Sequence, residues 1–383
     1  MAEKGIGFGV LGQLQVTVDN KSLSLGTPKQ RAVLAMLVIN RNRPVGIESL
    51  ITAAWDEWLP PGARATVHTY VSNLRRVLTG GGVDSRTVLA NAPPGYRLSV
   101  ADADCDIGRF ILEKNAGVRA AAARQFEQAS QHLSAALAEW RGPVLEDLRE
   151  FTFVDAFATA LVEDKVLAHT ARAEAEIACG RGHAVISELE ALTVEHPYRE
   201  PLWAQLITAY YLDNRQADAL DAYRHLRTTL ADDLGIEPSP AVRALHEQVL
   251  RQERLDVKKA AEKTAARAAT TLGKRTASAV ESSLALLRDD SGRRYPLKGA
   301  ATRIGRLPNS DIVLADAKVS RNHAVIVDTG TSFVITDLGS ANGVQVERRK
   351  IRGNATLSDG DHIRIGDREF TFEMQPAEPQ DPL

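Results

Sequence analysis

Three short segments near the end of the chain combine arginine, serine, asparagine and glycine, residue types that suit a phosphate-binding site. They are Gly305-Arg306, Ser320-Arg321-Asn322-His323 and Ser340-Ala341-Asn342-Gly343. A phosphate needs charge-assisted donors on rigid turns, and guanidinium, hydroxyl and amide groups at loop tips supply them. The neighbouring segments are short apolar runs of strand character, which places the three motifs in loops between strands. The pattern predicts that a β domain binds a phosphorylated ligand here.

The same motifs, together with Asp311-Ile312-Val313-Leu314 and Asp337-Leu338-Gly339, have the order and spacing of a forkhead-associated (FHA) domain. Residues 284–376 resemble this family over their whole length. The resemblance implies an all-β sandwich that binds phosphothreonine in preference to phosphoserine, because the extra methyl group enters a small apolar pocket.

The resemblance also implies a role for each motif residue. Arg306 and Ser320 would bind the phosphate with help from Arg321, and Asn342 would hydrogen-bond the ligand main chain. The predicted phosphopeptide-binding residues are Arg306, Ser320, Arg321, Ser340 and Asn342, and the predicted structural residues are Gly305, His323 and Gly343. Ala341 and Val344 replace a polar residue and a threonine that are frequent in the family. These departures bear on affinity and on ligand positions beyond the phosphothreonine.

A second set of polar residues lies on a predicted helix in the first hundred residues. An apolar stripe at helical spacing, Val67, Val71, Leu74 and Leu78, leaves Thr69, Ser72, Asn73 and Arg76 on the opposite face. The helix follows two shorter ones and precedes a hairpin, and residues 8–100 resemble an OmpR-type winged helix-turn-helix. The candidates for contacts to bases or phosphates are Arg64, Thr69, Asn73, Arg76 and Arg97. The alternative for each is an ordinary solvated helix face.

The elements that position this helix can be predicted from apolar spacing and turn residues. Apolar residues tend to alternate over 8–25, which indicates short antiparallel strands. Thr27-Pro28 starts a helix that ends near residue 40, because threonine is a good N-cap and proline suits the first helical position. Further helices are predicted at 47–55 and 63–78, and a hairpin at 88–98.

The middle of the chain is alanine-rich and helical, with two helix pairs about 34 residues apart, which suggests degenerate tetratricopeptide-like (TPR-like) repeats. The stretch that runs from Cys105-Asp106 through Trp140-Arg141-Gly142-Pro143 to 233–238 resembles the bacterial transcriptional activation domain. Together with the winged helix, this segment resembles regulators of the SARP family. Helical repeats form partner-binding surfaces, so RNA polymerase and a second copy of the chain are candidate partners. The alternative is a spacer that separates two working ends.

Charge supports a nucleic-acid partner for the first module. Residues 1–100 have eleven Lys and Arg against six Asp and Glu, whereas residues 101–250 have fourteen against twenty-five. The two cysteines, Cys105 and Cys179, have no partner at metal-ligand spacing, and two buried thiols are expected. We expect no cofactor, no metal, no enzymatic activity, no membrane insertion and a cytoplasmic location, since the motifs for them are missing.

The prediction is a multidomain α+β protein with four segments. They are a winged helix-turn-helix at 1–103, an all-α TPR-like activation domain at 104–250, a basic flexible linker at 251–283 and an all-β FHA sandwich at 284–376. The predicted function is a transcription regulator, with activation favoured, that binds promoter DNA and is controlled by a Ser/Thr protein kinase through phosphothreonine. The alternative is a phosphopeptide-binding scaffold that does not bind DNA.

Overall fold

A computed structural model describes residues 5–55, 60–279, 285–297, 301–307, 310–329, 332–351 and 353–374, with side chains throughout except at 270–279. The predicted domain limits near 1, 283–284 and 376 lie outside these residues. The chain forms two compact units. One contains Met1–Leu112, Ala138–Asp164 and Lys274–Leu383, and the other contains Glu113–Leu137 and Lys165–Gly273.

The chain begins with an antiparallel sheet of three strands, as the alternation at 8–25 predicts. The strands are β1 (Ile6–Gly9), β2 (Gln15–Val18) and β3 (Lys21–Ser22), in the order β1-β2-β3. Asp19 and Asn20 have φ values of 48° and 63° and form the tight turn between β2 and β3. Both residue types tolerate the left-handed region, which explains their use at this turn.

Three helices follow, at the predicted positions. They are α1 (Pro28–Ile39), α2 (Ile47–Trp55) and α3 (Ala63–Gly80). The hydroxyl of Thr27 accepts a hydrogen bond from the Gln30 amide and caps α1. The apolar stripe of α3 is buried against the other helices, so the opposite face of α3 is the exposed one.

The predicted hairpin is present, and two further elements adjoin it. The elements are β4 (Val45–Gly46), α4 (Ser85–Val88), β5 (Leu89–Ala92) and β6 (Gly95–Leu98). The sheet order is β4-β6-β5, so the β5–β6 hairpin is the wing. Strand β4 and helix α4 were not predicted, since two and four residues are too short to show a periodic pattern.

The middle region is helical. Its helices are α5 (Asp106–Ala122), α6 (Phe126–Ala138), α7 (Thr152–Ala178), α8 (Ile186–Glu195), α9 (Glu200–Leu212), α10 (Gln216–Leu234) and α11 (Pro240–Leu250). Trp203 stacks on His225, which joins α9 to α10, and Tyr223 stacks on His246, which joins α10 to α11. Successive helices therefore pack on their sequence neighbours, as in helical repeats.

The segment that we predicted to be a flexible linker is largely helical. Helix α12 occupies Val257–Ala279, and its Ala261 and Ala265 are 3% and 7% exposed. They pack against small residues of α5, α6 and α7, including Ala129 and Ala178. A packed helix therefore occupies part of the predicted linker, and the flexibility of that linker stays a prediction. Alanine has the highest helix propensity and allows close helix contact without large apolar side chains.

The C-terminal segment is a two-sheet sandwich. Its strands are β7 (Ala285–Asp289), β8 (Arg294–Pro296), β9 (Ala301–Gly305), β10 (Ile312–Val313), β11 (Ala324–Asp328), β12 (Phe333–Asp337), β13 (Val344–Val346), β14 (Arg349–Lys350), β15 (Asn354–Leu357), β16 (His362–Ile365) and β17 (Arg368–Met374). One sheet has the order β10-β9-β11-β12-β15 and the other β14-β13-β16-β17-β7-β8. Apolar residues of both sheets, such as Ile335 and Phe372, form one core.

Three general features of the described residues bear on function. None of their helices is both long and apolar enough to cross a membrane. No group of three or more His, Cys, Asp and Glu among them could hold a metal ion. Cys105 is buried and Cys179 half-buried, and burial raises the pKa of the Cys105 thiol to about 11.

Candidate functional site

Strand register brings the three phosphate-binding motifs to one end of the sandwich. Loop A, of which 306, 307, 310 and 311 are described, follows β9, loop B (314–323) precedes β11, and loop C (338–343) follows β12. Ala324, the first residue of β11, pairs with Ile304 near the end of β9 and with Asp337 at the end of β12. Because these pairs are antiparallel, the end of β9, the start of β11 and the end of β12 lie side by side, and all three loops are at the same end of the five-stranded sheet.

Hydrogen bonds hold the three loops together. The Arg306 amide donates to the Ser320 carbonyl at 3.0 Å and joins loop A to loop B. The Ala341 amide donates to the Ser320 hydroxyl oxygen at 3.1 Å and joins loop C to loop B. The hydroxyl proton of Ser320 is still available to donate to a ligand. Ser320 therefore lies at the junction of the loops.

His323 lies beneath this junction with no exposed surface. Its Nδ1 accepts a hydrogen bond from the Ser320 amide at 3.0 Å, so the proton of the neutral ring is on Nε2. Nε2 then donates to the carbonyl of Gly343 at 3.2 Å. One imidazole ring thus connects loop B to the end of loop C, which fits the structural role predicted for His323.

The two predicted structural glycines are close to other atoms. A Cβ on Gly305 would collide with the main-chain carbonyl of Arg321. Gly343 has a φ of +77°, a backbone conformation that residues other than glycine rarely adopt, and the Lys350 side chain lies over it. Glycine at 305 therefore lets loop B approach the end of β9, and glycine at 343 leaves room for the Lys350 side chain beside loop C.

The polar side chains of the site differ in whether they are already bonded. Arg306 and Arg321 are exposed, and neither guanidinium has a hydrogen bond or ion pair within the described part of the chain. Ser340 caps loop C, accepting from the Gly343 amide at 2.9 Å. The Asn342 amide group donates to the Lys318 carbonyl at 2.7 Å, which orients its side chain. Two arginines and one serine hydroxyl are thus free to bind an anion.

The start of loop B is rigid for an electrostatic reason. The carboxylate of Asp316 accepts hydrogen bonds from the backbone amides of Lys318, at 2.8 Å, and Asp367, at 3.1 Å. These bonds hold the pKa of Asp316 below its usual value. The Lys318 ammonium pairs with Asp367 at 2.8 Å, so its charge is already compensated.

The predicted DNA-binding residues are largely exposed, but several have intramolecular partners. Arg64 pairs with Glu48 at 2.9 Å, and both side chains are more than 60% exposed. Arg76 donates to Oδ1, the side-chain oxygen of Asn73, at 3.0 Å, and the side-chain amide group of the half-buried Asn73 donates to Gln30 at 3.3 Å. The hydroxyl of Thr69 donates to a main-chain carbonyl of α3. This pattern weakens Asn73 as a candidate base contact.

Arg97 is exposed on strand β6 of the wing. No hydrogen bond or ion pair engages its guanidinium among the residues that the structure describes. The polar face of α3 and this arginine are therefore both open to solvent in the same module.

Arg75 was missed by the sequence analysis. It donates to the Leu89 carbonyl at 2.7 Å and to Asn91 at 2.9 Å, and it lies over the Tyr96 ring. His68, also on α3, makes a 2.6 Å contact with the Tyr96 hydroxyl. These contacts fix the wing against α3. The helical phase of α3 turns Arg75 partly inward, and this signal could have distinguished it from Arg76.

Asp106 was noted only as part of a motif, yet it organises the structure around it. It is 2% exposed and accepts hydrogen bonds from the amides of Val10 and Leu11, both at 2.9 Å. Arg141 donates to the same carboxylate at 3.0 Å. Asp106 and Arg141 both belong to motifs that the sequence showed, but spacing alone does not predict that two residues 35 positions apart form an ion pair. Asp106 thus ties the first sheet to the start of α5.

Three family descriptions match the chain in the order predicted from the sequence. Residues 20–98 match "Transcriptional regulatory protein, C terminal", residues 105–250 match "Bacterial transcriptional activator domain", and residues 302–366 match "FHA domain". The matches confirm the predicted fold class, with a winged helix, an all-α region and an all-β sandwich. The exact domain limits stay a prediction.

Similar proteins are found over nearly the whole length. The transcriptional regulatory protein EmbR of Mycobacterium tuberculosis is 68% identical over 373 residues, which cover 97% of this chain and 96% of that protein. MoaR1 of the same species is 52% identical and covers 65% of this chain and 80% of its own length. A structure described as M. tuberculosis EmbR in complex with a low-affinity phosphopeptide matches with a TM-score of 0.96 and 66% identity, over 99% of this chain and all of that one. This chain therefore belongs to the EmbR family of transcriptional regulatory proteins.

Proposed function

We propose that this chain activates transcription from promoters that its winged helix-turn-helix binds, under the control of a Ser/Thr protein kinase that its FHA domain recognises. Membership of a family of transcriptional regulators supports the first part and disfavours the alternative of a scaffold without DNA binding. The match of the helical region to an activator domain favours activation over repression. The similar EmbR structure with its phosphopeptide supports the second part.

The observation that carries the phosphothreonine part is the state of Arg306 and Arg321. Both are exposed cations without an intramolecular partner among the described residues, and both flank a serine whose hydroxyl proton is free. Guanidinium groups bind phosphate oxygens through charge-assisted, often bidentate hydrogen bonds. Loops that are already held together lose little entropy when the ligand binds. A phosphothreonine of an autophosphorylated kinase is the ligand that we assign to this site.

Peptide binding by the full chain tests this assignment. A phosphothreonine peptide should bind at least tenfold more tightly than its unphosphorylated form, and Arg306→Ala should remove most of that difference. The matched control is Arg349→Ala, which removes an exposed arginine elsewhere on the sandwich. Equal affinity for the two peptide forms would overturn this part of the proposal.

The DNA-binding part is tested separately, by fluorescence anisotropy with promoter fragments and with scrambled DNA of the same length. We expect tighter binding to the promoter, and a loss of affinity when Arg97→Ala or Arg76→Ala removes a positive charge from the exposed faces. Equal, weak binding to both DNAs would favour the scaffold.

The acidic helical region is our candidate for contact with RNA polymerase or with a second copy of the chain. Stacked helices of this kind form extended surfaces that bind partners. Sedimentation of the full chain, alone and with purified polymerase, separates these two partners. A monomer that does not co-sediment with polymerase would leave the region as a spacer.

A further inference from the structure

One exposed cation beside the phosphate-binding loops has no part in the function proposed so far. Lys350 belongs to the short edge strand β14, which pairs with β13 directly after loop C. Gln345 is its partner across the strands, and the Ile351 amide donates to the Val344 carbonyl at 2.9 Å. This pairing returns the chain to the end of loop C.

The pleat of the sheet directs Lys350 outward and over the loop. Val344 and Val346 are buried in the core, so Gln345 faces the opposite side of β13. Lys350 faces the same side as its partner Gln345. Its Cδ and Nζ atoms lie 3.2 Å and 2.9 Å from the position that a Cβ on Gly343 would occupy. The ammonium group therefore lies over Gly343, the residue that follows Asn342 in loop C.

The charge of Lys350 is uncompensated, unlike the charges of Lys318 and Arg303. Lys318 pairs with Asp367, and Arg303 pairs with Asp311 at 3.1 Å. Lys350 has no hydrogen bond or ion pair with any residue that the structure describes. An unpaired cation at a ligand-binding surface attracts negative charge on the ligand and disfavours positive charge there.

The position of Lys350 distinguishes it from the phosphate-binding residues. Arg306 and Ser320 are on loops of the five-stranded sheet, whereas Lys350 is on the edge strand of the six-stranded sheet. Loop C, with Asn342, lies between the two. A ligand whose main chain contacts Asn342 would place its phosphate on one side of loop C and a neighbouring side chain on the other.

We propose that Lys350 binds an acidic side chain of the phosphopeptide, close in sequence to the phosphothreonine, and so selects among phosphorylated partners. The proposal rests on the function assigned to the FHA domain above. The ligand is then a peptide segment that carries both a phosphothreonine and a nearby aspartate or glutamate.

A charge-removing variant that keeps the side-chain stem tests this proposal. Lys350→Met keeps an unbranched stem over Gly343 and removes the ammonium group. Arg349→Met is the matched control, because successive residues of a strand point to opposite faces. The probes are phosphothreonine peptides with alanine at the flanking positions and a single aspartate placed in turn from three residues before to three after.

At one of these positions aspartate should tighten binding to the unaltered protein by about 2- to 5-fold, as expected for an exposed charge pair. Lys350→Met should abolish this preference and Arg349→Met should keep it. Three results would overturn the inference: no aspartate position is favoured, the preference survives in Lys350→Met, or this variant weakens all peptides equally. Failure of the unaltered protein to prefer phosphorylated peptide would instead overturn the proposed function.

Discussion

The two candidate binding surfaces of this protein differ in how their cations are held. At the FHA loops, Arg306, Arg321 and Lys350 have no partner among the described residues, while backbone hydrogen bonds hold the loops in place. On α3, Arg64 and Arg76 are already bonded to Glu48 and Asn73. An anion at the FHA loops therefore breaks no existing bond of these cations, whereas DNA would have to replace the bonds that Arg64 and Arg76 already make. Phosphopeptide binding should depend on loop geometry, and DNA binding on charge.

The largest expected effect is that of Gly305→Ala on the FHA side of this comparison. The new Cβ would collide with the Arg321 carbonyl, which is main chain and cannot rotate away. We expect phosphopeptide binding to be lost and the sandwich to be destabilised by about 3 kcal/mol, as for overpacking at a tight site. Thermal unfolding and peptide titration measure the two effects. Unchanged peptide affinity would show that the loop junction tolerates movement.

His323→Ala should have the next largest effect. It removes a ring that accepts from the Ser320 amide and donates to the Gly343 carbonyl, both at the loop junction. Leaving these groups unbonded should cost about 2 kcal/mol and reduce phosphopeptide affinity at least tenfold. DNA affinity should be unaffected and is the internal control. A variant that loses stability but binds peptide normally would contradict a preorganised site.

Arg76→Ala tests whether the α3 surface works through charge. If Arg76 contacts a DNA phosphate, the logarithm of the binding constant should fall less steeply with salt, by about one unit of slope. The measurement is DNA affinity across a series of salt concentrations, with phosphopeptide affinity as the control. An unchanged slope removes Arg76 from the DNA-binding residues.

Glu48→Gln should have the smallest effect, and it should raise affinity for DNA where the preceding variants lower affinity for their ligands. It frees Arg64 from an exposed ion pair worth about 0.5 kcal/mol and removes a negative charge near the DNA face. DNA should therefore bind about 2- to 3-fold more tightly at low salt, with no change at high salt. Weaker binding after this change would mean that the ion pair orients Arg64 productively.

Much of the fold was predictable because local patterns were strong. Thr27-Pro28 fixed the start of α1, and the stripe from Val67 to Leu78 gave α3 with the correct buried face. The FHA motifs predicted loops that the register of β9, β11 and β12 does bring to one end. The packing of α12 within the predicted linker could not be predicted, because alanine-rich composition does not reveal whether a neighbouring surface accepts the helix.

The sequence by itself determined the order of the modules, the residue types of the anion site and the exposed face of α3. All three depend on neighbours along the chain, through helical and strand periodicity and turn chemistry. Only the tertiary structure decided that Arg75 holds the wing, that Asp106 joins Arg141, and that Lys350 lies over Gly343. Each of these contacts joins segments that pattern cannot pair, so it becomes visible only when packing fixes which segments meet.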